Sequence, residues 1–319
     1  MLAFCILVPV SDGLSKLATE YLPVLQIIAL RFLIGAILLA PLVWATGRSL
    51  RLPSRLLGLV ALRSALHVAA FAALLAALAV MPLAETMAIV FVQPFLMLLV
   101  AWAFMGETAG PRRLAACAAG FAGTLLVIQP SFAEAGWVVL LPLLTAVFFT
   151  GFMLITRRIA KACDPLSLQV TGGLIALPML APFLAAGPVL GIPALTPVIP
   201  DAGIWGLILA IAVLGTLAHL IMTLSLRFAP ASTLAPIQYM ELPVTVAVGW
   251  VIFRDFPDAL ALSGIAVICA AGLYILHRER RLGLSPGPGP APPAPHPAPP
   301  PAASPASAAP TAAAGPAAR

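Results

Sequence analysis

Ten apolar stretches dominate this sequence and constrain its fold more than any other feature. Crossing the hydrocarbon core of a bilayer, about 30 Å thick, takes roughly 20 helical residues, and each stretch approaches or exceeds that length. Backbone groups in hydrocarbon have no water to bond, and the runs are continuous where barrel strands would alternate, so we predict an all-α integral membrane protein with ten transmembrane helices. The stretches cover residues 2–19, 24–46, 58–80, 83–105, 112–129, 135–156, 166–187, 203–226, 232–253 and 258–277.

The composition agrees with a membrane protein and argues against several other classes. Hydrophobic residues make up 62% of the chain and charged residues 9%, whereas soluble proteins are about one quarter charged. The net charge of +6 comes from short basic clusters between apolar stretches, without interleaved aromatic residues, so we expect contact with the lipid bilayer and no nucleic-acid partner. The four cysteines have neither metal-ligand nor disulfide spacing, and we expect no metal and no cofactor.

The two ends of the chain have different characters. The first stretch has no basic region before it and no small-residue cleavage site, so we expect a retained helix and no signal peptide. Residues 282–319 are rich in Pro, Ala, Gly and Ser and almost without charge, which predicts a disordered cytoplasmic tail. Residues 188–202 contain several prolines and should form an extended surface connection.

Lysine and arginine residues divide unevenly between the two sides of ten alternating spans. One side has only Arg254, while Lys16 and Arg31 fall within spans. Because cytoplasmic loops carry the excess of basic residues, we predict a multi-pass protein of the inner membrane with both termini cytoplasmic. The other side collects Arg48, Arg51, Arg55, Arg63, Arg112, Arg113, Arg157, Arg158, Lys161, Arg227, Arg278, Arg280, Arg281 and Arg319.

An offset of 148 residues places the fourth span on the ninth. Five spans, an odd number, separate the two copies, so the second half must lie upside down relative to the first. We therefore predict two inverted five-helix repeats, residues 1–130 and residues 131–281. The matching pairs are Pro82 with Pro230, Phe91 with Tyr239, Gln93 with Glu241, Trp102 with Trp250, and Glu107 with Asp255.

Two of these paired residues are our first candidates for substrate binding. A charge at mid-bilayer costs about 2.5 kcal/mol or more and persists only beside a cavity or a partner. Glu241 lies about halfway along the ninth span, two residues before Pro243, and Gln93 directly precedes Pro94. Proline removes a backbone donor and kinks a helix, which frees carbonyl groups to meet a solute. We predict a substrate site at the midplane that includes Glu241, Gln93 and, on the same helix face as Glu241, Gln238.

The first two spans add three charged candidates for the substrate site. Asp12 and Lys16 are four residues apart and share a helix face, where they can also form a structural ion pair. Arg31 lies roughly 10 Å inside the second span and offers a fork of donors to a carboxylate or phosphate. Its alternative role is to pair with Asp12 or Glu20.

Three residues are candidates for proton coupling: Glu241, His67 and His219. His67 and His219 lie in the third and eighth spans, which are counterparts in the two halves. The alternatives are a protonated Glu241 bonded to a neighbouring helix and histidines that serve only in packing. Glu85 should be an interfacial acid at a helix start.

Small residues concentrate in the fifth and tenth spans, at residues 116–123 and 264–272. Such faces permit close helix contact within one chain or between two copies in a homodimer. We expect these two spans to form scaffold.

Two segments resemble the EamA-type transporters of the drug/metabolite transporter superfamily: Ala79–Glu107 (AVMPLAETMAIVFVQPFLMLLVAWAFMGE) and Phe228–Asp255 (FAPASTLAPIQYMELPVTVAVGWVIFRD). Each has a Pro-bearing turn, a start of small residues, a mid-helix polar residue near proline and a terminal acid. The resemblance covers about residues 1–281 and implies ten helices, a central cavity between the halves and alternating access. Residues 12–31 (DGLSKLATEYLPVLQIIALR) look like members labelled as uptake carriers for riboflavin or S-adenosylmethionine.

These features predict a secondary transporter that moves a small polar or amphipathic metabolite by alternating access. The sequence has no GxSxG, HExxH or Gly-rich phosphate loop, so we expect no enzyme and no ATP-driven pump. The alternatives are a carrier specific for riboflavin or S-adenosylmethionine, and a membrane scaffold or channel.

Overall fold

The fold is taken from a computed structural model that describes residues 1–50, 52–105, 111–160, 162–228 and 238–281. Within these ranges all regular structure is helical. The helices are α1 (Leu2–Ala18), α2 (Val24–Ala45), α3 (Ser54–Leu78), α4 (Leu83–Val90), α5 (Gln93–Met105), α6 (Pro111–Ala135), α7 (Leu140–Ile159), α8 (Pro165–Leu190), α9 (Ala202–Phe228), α10 (Glu241–Phe253) and α11 (Ala259–Arg281), with 3-10 turns at Gly136–Val139 and Pro193–Leu195.

Some predictions concern parts of the chain outside these described ranges. They include the tail after Arg281, the repeat positions Glu107 and Pro230, and the basic residues Arg51 and Lys161. The side chains of Trp102, Arg112, Arg113, Arg280 and Arg281 also lie outside the description.

The helices fall where the ten apolar stretches predict them, which makes the chain an all-α, multi-pass membrane protein. In the described ranges, five segments are each long and apolar enough to cross a bilayer: 24–45, 54–78, 131–159, 165–190 and 202–228. Shorter apolar segments cover residues 83–97 (α4 and the start of α5), 118–129 (within α6), 241–253 (α10) and 259–274 (within α11).

The fourth predicted span is two helices and not one. α4 ends at Val90 and α5 begins at Gln93, with Phe91 and Val92 in a turn between them. Pro94 has no N–H to bond the carbonyl group of Val90, so a continuous helix is disfavoured here. In the first turn of α5 that missing donor has no cost, because helix-start N–H groups have no partner within the helix.

The ninth span is interrupted at the repeat-equivalent position. Tyr239 and Met240 form a turn immediately before α10, and Pro243 is the third residue of that helix. The turns at Phe91 and Tyr239 are separated by the same 148 residues that relate the two sequence segments. The duplication therefore includes the helix break as well as the sequence pattern.

Helix contacts also repeat in pairs. The contact of α3 with α7 has its counterpart in the contact of α9 with α1. In the same way, the contact of α2 with α9 corresponds to that of α8 with α3, and the contact of α1 with α10 corresponds to those of α7 with α4 and α5. Exchanging the first five spans for the last five turns each of these contacts into its partner, while the α2–α8 and α6–α11 contacts map onto themselves. This is the packing of two inverted five-helix repeats.

The contact between α6 and α11 depends on glycine. A Cβ atom on Gly264 would lie 2.6 Å from the carbonyl oxygen of Gly123, and a Cβ atom on Gly123 would lie 2.9 Å from that of Gly264. Side chains at these positions would push the helices apart, so part of each small-residue run serves contact within the chain.

The connection after α8 is held to the start of α2. The Gln26 side-chain amide donates to the carbonyl oxygen of Val198 at 2.5 Å and accepts from the backbone N–H of Val198 at 2.8 Å. This irregular segment of the predicted surface connection is thus fixed by a two-way hydrogen bond.

Candidate functional site

A cavity lies between helices of both halves. Mostly apolar walls with a few polar groups are typical of small-molecule sites. The lining residues are Phe4, Val8, Asp12, His67, Ala70, Phe71, Leu74, Met87, Val90, Phe91, Gln93, Thr145, Phe149, His219, Gln238 and Glu241.

Four of the predicted binding residues line this cavity, three of them at the helix breaks. Gln93 is the first residue of α5, and Glu241 is the first residue of α10, so each directly follows a break. Gln238 precedes the second break, and Asp12 faces the cavity from α1. All four are buried and polar, and their role in substrate binding stays a prediction.

The two glutamines share a weak partner. The Nε2 atoms of Gln93 and Gln238 lie 3.1 and 3.9 Å from the sulfur of Met153 on α7. The Oε1 atom of Gln238 is buried without a hydrogen-bond partner among the described residues. A thioether is a weak acceptor, so both amides can exchange this contact for a substrate group at little cost.

The two carboxyl groups at the cavity have no hydrogen-bond or ion-pair partner within the described part of the chain. The charge of Asp12 acts on Glu241, which belongs to the other half, and also on the cationic guanidinium group of Arg31. Cationic groups and protons are the partners that two neighbouring carboxyl groups attract.

The predicted ion pair between Asp12 and Lys16 is wrong. The Lys16 ammonium group donates to the carbonyl oxygen of Met81 at 2.5 Å and lies 5.1 Å from the ring centre of Phe253. Lys16 is one turn further along α1 than Asp12, and its long side chain reaches the turn between α3 and α4. It is not a lining residue of the cavity.

His67 and His219 meet at the boundary between the halves. Their ring centres are 4.6 Å apart with planes tilted by 32°, and both rings line the cavity. His219 Nδ1 lies 2.9 Å from the carbonyl oxygen of Gly215 and 3.2 Å from Nη2 of Arg31. This nitrogen can donate to Gly215 or accept from Arg31, but one tautomer cannot do both.

Arg31 is buried beside this histidine pair. Its guanidinium carbon lies 4.0 Å from the ring centre of Phe71, which is also a cavity residue. Over the described residues Arg31 forms no ion pair with Asp12 or Glu20, and its Nη1 atom is buried without a hydrogen-bond partner.

Arg63 is a buried residue that the sequence analysis placed with the cytoplasmic loops, and this placement is wrong. Only 2% of its surface is exposed; Nε donates to Oγ1 of Thr156 at 2.8 Å, and the guanidinium carbon lies 4.6 Å from the ring centre of Phe152. Its Nη2 atom has no partner among the described residues. The signal was available, because Arg63 lies inside the predicted span 58–80.

The two buried arginines are related by the repeat in an unexpected way. An offset of 152 residues on α3 and α9 pairs His67 with His219 and also pairs Arg63 with Gly215. A Cβ atom on Gly215 would lie 2.5 Å from Nη2 of Arg31, and a Cβ atom on Gly172 would lie 3.0 Å from Nη1 of Arg63. Each interface between halves therefore holds one guanidinium against one glycine, but the arginine comes from α2 in one interface and from α3 in the other.

Glu85 is at the start of α4, as predicted, but it is buried. Ser131 on α6 donates to its Oε2 atom at 2.5 Å, and only 8% of its surface is exposed. It joins two helices and does not line the main cavity.

Comparison with known proteins gives consistent matches. Residues 1–129 match the model of the EamA-like transporter family. A riboflavin transporter of Brucella anthropi is 30% identical over 251 residues, covering 78% of this chain and 86% of that protein. A riboflavin transporter of Rhizobium johnstonii is 32% identical over 207 residues. The match covers 65% of this chain and 66% of that protein, so this chain spans just under two thirds of that relative's length.

More distant matches extend over most of the chain. An S-adenosylmethionine uptake transporter of Rickettsia bellii is 25% identical over 279 residues, covering 85% of this chain and 90% of that protein. A solved crystal structure shares the fold with a TM-score of 0.65 at 20% identity, covering 88% of this chain and 97% of that chain.

Proposed function

This chain belongs to the EamA-like transporter family and is a membrane transporter of small metabolites, and we propose that it is a secondary carrier that works by alternating access. The observation that supports this most is the position of the cavity. It lies between two inverted halves, and buried polar residues from both halves line it at the two helix breaks. Broken helices that meet near the midplane are the usual construction of substrate sites in secondary carriers.

We propose that the cavity binds a small polar or amphipathic metabolite. Among the described residues, the amide nitrogens of Gln93 and Gln238 contact only a thioether, so they can hydrogen-bond polar parts of the substrate. The carboxyl groups of Asp12 and Glu241 attract a cationic group or a proton. Phe71, with the other aromatic side chains of the wall, packs against the apolar part. Glu241, His67 and His219 are our candidates for proton coupling.

Opening the cavity requires the halves to separate at one end of the bundle. There α1 meets α10 closely: a Cβ atom on Gly13 would lie 2.7 Å from Cγ1 of Val248. The hydrogen bond from Lys16 to the carbonyl group of Met81 is at the same end. In this proposal Lys16 helps to hold that end closed and does not bind substrate.

Riboflavin uptake is the more specific candidate. The relatives from Brucella anthropi and Rhizobium johnstonii, at 30% and 32% identity, are both named as riboflavin transporters. S-adenosylmethionine uptake has support from a more distant relative at 25% identity. Because the relatives reported above are all named as transporters, they support a carrier over an enzyme, scaffold or channel.

Counterflow in proteoliposomes tests the transport proposal. Purified protein is reconstituted into vesicles loaded with unlabelled riboflavin or S-adenosylmethionine, and uptake of the labelled compound is measured. We expect Glu241→Ala to abolish counterflow of the transported compound, while Glu134→Gln, a change at an exposed acid, leaves it unchanged. Full counterflow by the Glu241→Ala protein would remove Glu241 from the site, and no counterflow of either compound by the wild type would reject both specific candidates.

We also propose that both termini face the cytoplasm and that the chain resides in the inner membrane. Arg48 after the end of α2, Arg157 and Arg158 at the end of α7, and Arg227 at the end of α9 support this orientation. A reporter enzyme fused after Arg281 should be active in the cytoplasm, and periplasmic activity would reverse the orientation.

A further inference from the structure

A second, smaller cavity lies between α2, α3, α8 and α9. His67 and His219 line both cavities, so the paired imidazole rings form the partition between them. The small cavity is lined by Arg31, Phe32, Gly35, Ala36, His67, Gln169, Gly173, Gly215, Thr216 and His219.

Arg31 brings a positive charge to this small cavity. One end of its guanidinium group, Nη2, is occupied by Nδ1 of His219 at 3.2 Å. The other end, Nη1, is buried and has no hydrogen-bond partner in the described ranges. Asp12 is near enough for its charge to act on Arg31, but no carboxylate in those ranges lies within ion-pair distance of the guanidinium group. A buried charged donor without an acceptor is strongly unfavourable, so Nη1 is available to an acceptor group of a ligand.

Glycine makes the room for this arrangement. A Cβ atom on Gly215 would lie 2.5 Å from Nη2 of Arg31, and one on Gly35 would lie 2.5 Å from Oγ1 of Thr216. The two glycines thus let the Arg31 guanidinium group and the Thr216 hydroxyl group pack directly against the neighbouring helices.

We propose that the small cavity is a subsite for an anionic group of the substrate, a carboxylate or a phosphate, bound by Nη1 of Arg31. The hydroxyl group of Thr216 and the side-chain amide of Gln169 line the same space and can donate further hydrogen bonds. Guanidinium groups bind both oxyanions through charge-assisted hydrogen bonds.

This subsite narrows the class of substrate and rests on the proposed transport function. In this proposal the apolar body of the substrate occupies the main cavity. Its acidic group extends past His219, which lies between the two cavities and next to Arg31, and reaches the small cavity. The preferred substrates are then amphipathic molecules with an apolar body and an acidic group, which favours the carboxylate-bearing S-adenosylmethionine over riboflavin, a neutral molecule.

Binding of three matched probes to purified protein tests the subsite without any measurement of transport. Benzoate and phenyl phosphate carry the two anions on an aromatic ring, and benzyl alcohol is their uncharged counterpart. We expect both anions, or one of them, to raise the thermal unfolding temperature of the wild-type protein in lipid nanodiscs more than benzyl alcohol does. A response to only one anion identifies the acidic group that the subsite accepts.

Substitutions then locate the binding. Loss of a charge-assisted hydrogen bond should weaken anion binding about tenfold or more in Arg31→Ala. Arg31→Lys should retain part of the affinity, and Thr216→Val should reduce it while keeping the side-chain shape. Arg55→Ala removes an exposed arginine and should bind the anions as the wild type does.

Two results would overturn the proposal: benzyl alcohol stabilising the wild type as much as both anions do, or the anions stabilising Arg31→Ala as they stabilise the wild type. If Arg31→Ala does not fold, wild-type anion affinity in both Arg31→Lys and Thr216→Val would be decisive against it. Anion-specific binding together with absent counterflow would leave the subsite intact and reject the transport candidates. Counterflow by the wild type without anion-specific binding would reject the subsite and leave the transport proposal unaffected.

Discussion

Arg31 and Arg63 are buried charges whose positions depend on glycines of neighbouring helices. Transfer of a charged group out of water is unfavourable by several kcal/mol, and neither arginine has a carboxylate within ion-pair distance among the described residues. Arg63 has one hydrogen bond, to Thr156, and a face contact with Phe152. Such an arrangement lowers stability, which is expected where a charge serves binding or transport.

Replacing Arg63 with methionine should therefore not destabilise the protein. Apolar residues of similar size in place of buried ionic groups are often neutral or stabilising by about 1–4 kcal/mol. Thr156 keeps a partner, because its hydroxyl group also donates to the carbonyl oxygen of Phe152 at 2.7 Å. We expect an equal or higher thermal unfolding temperature for Arg63→Met and no gain for Arg63→Lys. A fall of several degrees in Arg63→Met would show that Arg63 stabilises the fold.

Sequence reasoning found some site residues and missed others for definable reasons. Glu241 and Gln93 emerged because the repeat and the adjacent prolines mark them independently. Arg63 was missed because its charge was assigned to a loop. The pairing of Asp12 with Lys16 followed the local four-residue spacing, but a carbonyl oxygen from a distant turn binds Lys16 instead. Contact between His67 and His219 depends on the rotation of two helices, which no local pattern reports.

At the level of helices, hydropathy predicted a continuous fourth span where the structure has two helices. The mean hydropathy of a segment does not change when its helix is interrupted for two residues. Pro94 and Pro243, which follow the repeat-equivalent residues Gln93 and Glu241 by one and two positions, carried the information about the breaks. The span positions themselves were predictable because the membrane fixes both length and composition.

Two glycines hold aromatic residues of the broken helices. A Cβ atom on Gly120 of α6 would lie 1.9 Å from the Phe95 ring, and one on Gly272 of α11 would lie 2.1 Å from the Tyr239 ring. The rings of Phe95 and Tyr239 are themselves in contact, with centres 5.7 Å apart. These glycines therefore fix the aromatic residues next to Gln93 and Gln238.

Gly272→Ala should disturb both stability and transport. The added methyl group has no space unless Tyr239 moves, and overpacking of this kind costs about 1–3 kcal/mol. Displacement of Tyr239 also shifts the neighbouring Gln238 at the cavity, so counterflow should fall. The measurements are thermal unfolding and proteoliposome counterflow.

Gly206→Ala in α9 is the matched control. No atom lies within 4 Å of a Cβ built on Gly206, and alanine in a helix interior is favoured over glycine by up to about 1 kcal/mol. This variant should be as stable as the wild type or slightly more so. Equal behaviour of the Gly206→Ala and Gly272→Ala proteins would contradict the proposed packing of Tyr239.

On the scale of the whole molecule, the inverted repeat was visible in the sequence, and its division at residue 130 stays a prediction. α6 continues to Ala135 and ends where Gly136 adopts a φ of 58°. Glycine tolerates this left-handed conformation and commonly follows a helix end. The partner of each helix in three dimensions also could not be derived, because apolar faces of similar composition do not specify which neighbour they contact.

A cross-link between the halves should stop transport if they separate during each cycle. Gly13 on α1 and Val248 on α10 are close enough for cysteines at both positions to be joined. We expect the oxidised double variant Gly13→Cys, Val248→Cys to lose counterflow, and reduction to restore it. The single variants provide the control for damage by each substitution. Full counterflow with the cross-link in place would mean that this end of the bundle does not open.

The two interfaces between the halves take their buried arginine from different helices, and this difference affects the carrier when no substrate is bound. Identical halves would make the two access states mirror each other in energy, and each would be occupied half of the time. Here α2 supplies the charge beside Gly215, and α3 supplies it beside Gly172. No symmetry then makes the two access states equal in free energy. The substrate-free carrier can therefore be open to one side of the membrane more of the time than to the other, although it arose by duplication.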